Sequence, residues 1–122
     1  MKYEPLWERF EAIAPQGTPF AVCFLRAGFL TVGDRPELYF FRVTLAADAS
    51  GSAPEEVVVG ISGDSLKRFE KSRRSLSREE KIDLAGLLLK KNIEAGKALD
   101  SKNLFIRDDE LAGLAGELGI PG

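Results

Sequence analysis

The sequence contains no histidine and only one cysteine, and these two absences remove much of the usual chemistry of enzymes. Zinc sites built from nitrogen and sulfur ligands cannot form within one chain of this composition. Catalytic arrangements that pair serine or cysteine with histidine are excluded for the same reason. A Gly-rich phosphate loop of either common pattern is also missing. We therefore expect no metal site, no cofactor and, on balance, no catalysis, although an enzyme using Lys, Asp, Glu or Tyr stays open.

Long apolar runs and paired cysteines are missing as well. A lone Cys23 cannot form a disulfide within the chain, and its apolar neighbours predict a buried, unreactive thiol. The longest apolar runs are far short of the roughly 18 residues that a membrane span needs. The N-terminal residues also carry charges that a signal peptide would lack. We interpret the chain as cytoplasmic, with no membrane partner.

What is present is the composition of an ordinary globular protein. The chain has 122 residues, of which 44% are hydrophobic and 30% charged. This balance supports one hydrophobic core, and the length is typical of one domain. We expect a single α+β domain over residues 1–122.

The N-terminal half predicts one helix followed by four strands. Leu6, Trp7, Phe10 and Ile13 recur at helical spacing, and residues 15–17 would end that helix. Strands are predicted over residues 20–26, 29–32, 37–45 and 56–61, the first two joined by a tight turn at Ala27 and Gly28. Four consecutive strands predict a four-stranded antiparallel meander packed against helices.

The C-terminal half is predicted to be helical. A short helix begins at Ser62 or Asp64 and runs to about Arg74, with Leu66 and Phe69 buried. Ser77 and Glu80 form a capping box that opens a longer helix, which Gly96 would end. A short strand over 104–106 and a last helix from Asp108 complete the pattern.

Charge is distributed unevenly along the chain. Residues 1–66 carry 5 basic and 9 acidic side chains, residues 67–107 carry 12 and 6, and residues 108–122 carry 0 and 4. A basic segment between acidic ones is typical of proteins that bind phosphate polymers. Nucleic acid or another polyanion is therefore an alternative partner, although not the favoured one. Its candidate residues are Lys67, Lys71, Arg73, Arg74, Arg78 and Lys81.

The favoured hypothesis is a non-catalytic protein-interaction module that forms a homo-oligomer or binds a protein partner. The central helix has leucines off its main buried stripe, and adjacent apolar residues of the third strand point to both faces of the sheet. Apolar side chains left uncovered would form an interface. The candidate interface residues are Leu38, Phe40, Leu84 and Leu88.

Overall fold

The computed structural model describes residues 9–45, 55–100 and 103–120. The described residues form an α+β structure of five strands and three helices. The elements in chain order are β1 (Arg9–Ile13), β2 (Pro19–Phe29), β3 (Glu37–Leu45), β4 (Glu55–Ile61), α1 (Gly63–Ser72), α2 (Arg78–Ala95), β5 (Phe105–Ile106) and α3 (Asp108–Leu118).

The strands form one mixed sheet in the order β1-β2-β3-β4-β5. Each of the first four strands pairs antiparallel with the next, whereas β5 pairs parallel with β4. The chain passes through α1 and α2 between β4 and β5, as a parallel connection requires. The predicted four-stranded antiparallel meander is therefore wrong, because the crossover adds a fifth, parallel strand.

The predicted N-terminal helix is also wrong, because the first described element is the strand β1. Phe10 faces Val22 across the ladder, and Ala12 is buried while Ile13 is 57% exposed. Alternate burial is the pattern of a strand, so the three-residue spacing of Phe10 and Ile13 does not reflect a helix face. The residues at 15–17 form the turn between β1 and β2. Leu6 and Trp7 lie outside the described residues.

The third correction concerns β2, which is one strand of 11 residues rather than two short strands joined at Ala27 and Gly28. Its pairing with β3 is irregular between Phe24 and Arg26, so Leu25 forms a bulge. An extra residue in one strand reverses which later side chains face each side of the sheet. Ala27 and Phe29 are thereby paired with Tyr39 and Glu37 on the helix-covered face.

The helices cover one face of the sheet and complete the core. The capping box between Ser77 and Glu80 is confirmed, and Gly96 ends α2 in the left-handed conformation, as predicted. Leu66 and Phe69 of α1 are buried, also as predicted. α2 contacts β1 and β4, and α3 contacts α1 and α2. Of the described helices, none is long and apolar enough to cross a membrane.

The other face of the sheet is covered in part by its own arginines. The guanidinium of Arg26 lies 4.3 Å from the centre of the Phe40 ring and pairs with Glu56 on β4. Arg107 lies 4.7 Å from the centre of the Phe105 ring. Such stacking removes ring surface from water without a further layer of helices. Cys23 is half-buried, not buried as predicted, because its strand neighbours on this face are Arg9 and Arg42.

Candidate functional site

The end of β2 and the loop that follows it expose three large apolar side chains within four residues. Phe29 is 71% exposed, Leu30 46% and Val32 70%. We call this surface, with Arg35, the hairpin end. The sequence predicted a strand at 29–32, in which alternate side chains would have been buried. The structure instead places Leu30 and Val32 beyond the end of β2, where nothing among the described residues buries them.

The hairpin end is held in place although it is exposed. The Leu30 N–H donates to the Pro36 carbonyl at 3.0 Å, and the Arg35 N–H donates to the Val32 carbonyl at 3.1 Å. Arg35 has φ 55°, a conformation that is uncommon for residues other than glycine. The contacts around the loop must therefore compensate for some backbone strain.

Asp34 fixes the loop to the start of α1. Its Oδ1 accepts a hydrogen bond from the Asp64 N–H at 2.8 Å. Hydrogen bonds from the Ser62 hydroxyl and this N–H hold the pKa of Asp34 below its ordinary value. The N-terminus of α1, which could otherwise attract an anion from solution, thus already has the carboxylate of Asp34 against it.

A polar cluster lies beside the hairpin end, where β3 meets the first turns of α2. The Tyr39 hydroxyl donates to Glu37 Oε1 at 2.6 Å. Lys81 Nζ donates to both Glu37 oxygens at 3.1 and 3.2 Å. Tyr39 is only 3% exposed, and this burial, followed by its bond to Glu37, raises its pKa far above the ordinary value. The hydroxyl therefore stays protonated and acts as a donor.

The cluster borders a cavity of about 380 Å³. β2 and the first turns of α2 supply most of its lining; the residues are Ala27, Gly28, Phe29, Glu37, Tyr39, Arg78 and Lys81. Arg78 lies with its guanidinium 5.7 Å from the centre of the Phe24 ring. We call this the Arg78 cavity. A second cavity of about 440 Å³ lies on the hairpin end itself, lined by Phe29, Leu30, Thr31, Arg35 and Glu37.

The candidate polyanion residues are placed in different surroundings. Arg74 forms an ion pair with Glu80, and Lys81 forms one with Glu37. Arg73 lies 5.1 Å from the centre of the Phe69 ring, while Lys67 and Lys71 are exposed on α1. Of the six residues, only Arg78 and Lys81 line the Arg78 cavity.

The candidate interface residues also separate into two groups. Leu84 is completely buried and Leu88 is buried, so both pack inside this chain. Leu38 and Phe40 are half-buried on the outer face of the sheet, where Arg26 covers Phe40. Leu88 is 8% exposed and lines a further cavity between α2 and α3, whereas Leu84 has no exposed surface.

Sequence reasoning missed Glu37, Phe29 and the bulge that brings them together. The available signal was the spacing of Glu37 and Tyr39, which places both on one face of a strand.

No cluster of His, Cys, Asp or Glu among the described residues could hold a metal ion. Comparison of the chain with family models, curated proteins and solved structures yields no match. The function must therefore be argued from the geometry.

Proposed function

We propose that this protein is a cytoplasmic interaction module that self-associates through the hairpin end. The observation that carries the proposal is the exposure of Phe29, Leu30 and Val32 together on a fixed loop. Burying a large apolar side chain contributes about 1.5–3 kcal/mol. Three such side chains, exposed within four residues, are therefore a substantial source of binding free energy.

The fixed backbone favours association in a second way. Binding usually has a free-energy cost, because flexible loops and side chains become ordered at the interface. The bonds from Leu30 to Pro36 and from Asp64 to Asp34 order this loop before any partner arrives. More of the burial free energy is then left for affinity.

A second copy of the chain is the partner that this surface fits. A two-fold interface needs a surface that complements itself. The hairpin end has protruding apolar side chains next to a cavity of about 440 Å³, and its lining includes Arg35 and Glu37. Protruding apolar side chains, a cavity and the cation Arg35 thus occur on one surface. Two copies related by a two-fold axis could place the protruding apolar side chains of each copy in the cavity of the other.

The alternative of polyanion binding has weaker support. Phosphate contacts require cations whose charge is not already neutralised. The ion pairs of Arg74 with Glu80 and of Lys81 with Glu37 leave four of the six candidates for that role, and of these only Arg78 lines the Arg78 cavity. We therefore favour self-association as the function.

The test is the oligomeric state of the full chain, measured by sedimentation velocity from micromolar to millimolar concentration. We expect a dimer in the wild type and a monomer in Val32→Asp, because the new charge would be buried at the interface. Ile13→Asp is the matched control, since Ile13 is also exposed but lies on β1. A wild type that stays monomeric throughout, or a dimer that survives Val32→Asp, would overturn the proposal.

A further inference from the structure

We propose that the Arg78 cavity binds a small carboxylate that carries an apolar group, with the guanidinium of Arg78 as the partner of the carboxylate. The inference concerns a different ligand from the self-association proposed above. It depends on the charge balance of the cavity, on its lining and on its size.

The positive charge in the cavity is not balanced by the residues that the structure describes. Glu37 is neutralised by Lys81 and accepts the hydroxyl of Tyr39. Arg78 has no carboxylate of the described residues within ion-pair distance. Glu80, in the same turn of α2, is bound to Arg74. The lining therefore carries two cations and one anion, a net charge of +1 that one monoanion would balance.

Arg78 is suited to a carboxylate for geometric reasons. A guanidinium presents donors in a planar fork that matches the two oxygens of a carboxylate. Arg78 is exposed, and its guanidinium lies 5.7 Å from the centre of the Phe24 ring. A phosphate dianion would fit less well, because its second charge would lie close to the carboxylate of Glu37.

The rest of the cavity predicts an apolar body for the ligand. Ala27, Gly28 and Phe29 supply one wall, and Tyr39 also lines the cavity. A volume of about 380 Å³ is at the small end of the range of roughly 300–1,000 Å³ in which small-molecule sites fall. A single ring or a branched chain would fill it. The bulge at Leu25 is what directs Ala27 and Phe29 to this side of the sheet.

The experiment is a titration of the ¹⁵N-labelled full chain with phenylacetate, followed by amide chemical shifts. We expect saturable shifts at Gly28, Glu37, Arg78 and Lys81, no comparable binding of the neutral isostere phenylacetamide, and weaker binding of acetate and inorganic phosphate. Arg78→Gln should weaken phenylacetate binding about tenfold or more, since it removes a charged hydrogen-bond donor. Arg73→Gln is the matched control and should leave the affinity unchanged.

Several outcomes would overturn the inference. These are shifts that do not saturate, shifts that map elsewhere, equal affinity for phenylacetamide or phosphate, and an affinity that Arg78→Gln does not alter. The titration is repeated on Val32→Asp, in which the proposed self-association is removed. Failure of the ligand site and failure of self-association are then read from separate measurements.

Discussion

Gly63 begins α1 directly beside the loop that carries Asp34 and Arg35, and backbone atoms close the space next to its Cα. A Cβ at this position would lie 2.3 Å from the Asp34 carbonyl oxygen and 2.5 Å from the Arg35 carbonyl oxygen. Backbone atoms cannot move aside as a flexible side chain can. The absence of a side chain at Gly63 is therefore what lets the hairpin end dock on α1.

We predict that Gly63→Ala lowers the free energy of unfolding by about 1–3 kcal/mol, as overpacked sites do. Gly113→Ala in α3 is the matched control, because a Cβ there would meet nothing within 4 Å. Alanine in that open helical position should raise stability by about 0.5–1 kcal/mol. Urea denaturation of both variants is the measurement, and a Gly63→Ala variant as stable as Gly113→Ala would contradict the docking argument.

Among the elements, α2 could be predicted from sequence and β1 could not. The cap of α2, its buried residues and its stop at Gly96 all lie within 20 consecutive residues, so local signals agree. β1 has only five residues, and its partner β2 decides its conformation. The bulge at Leu25 was equally invisible, because it follows from pairing with β3. Predicting the Arg78 cavity required that bulge and the contact of Glu37 with Lys81, 44 residues away.

The first turn of α2 gives a prediction that depends on pH. The Arg74 guanidinium, and then the Ser77 N–H, hold the pKa of Glu80 below its ordinary value of 4.5. A carboxyl with a depressed folded pKa stabilises the protein above its unfolded pKa, and the contribution is lost as pH falls through the folded pKa. Glu80→Gln should therefore lower the free energy of unfolding by about 1.5–3 kcal/mol at neutral pH.

Denaturant unfolding at a series of pH values tests this prediction. The difference between wild type and Glu80→Gln should shrink as pH falls below 4.5. Glu79→Gln is the control in the same turn, and it should remove only the favourable helix-terminal charge, about 0.3–1 kcal/mol. A Glu80→Gln deficit that is the same at neutral and acidic pH would mean that the ion pair does not stabilise α2.

At the scale of the whole molecule, β5 joins the C-terminal helices to the sheet. The Ser62 N–H donates to the Ile106 carbonyl at 2.9 Å, and the Gly60 N–H donates to the Leu104 carbonyl at 2.8 Å. Ile106 is completely buried and belongs to the same core cluster as residues of β1 to β4 and all three helices. The two residues of β5 therefore connect the antiparallel strands with the helical half in one core.

We predict that Ile106→Ala lowers the free energy of unfolding by about 2–5 kcal/mol, the cost of a core truncation. Ile13→Ala, at an exposed position of β1, should change it by no more than about 0.5 kcal/mol. Far-UV circular dichroism should show one unfolding transition in each variant. Hydrogen exchange should show the β1 and α3 amides losing protection together, because one core unfolds as a unit. If α3 exchanged freely in Ile106→Ala while β1 to β4 stayed protected, the sheet would be stable without the helical half. The chain would then contain two cooperative units rather than one.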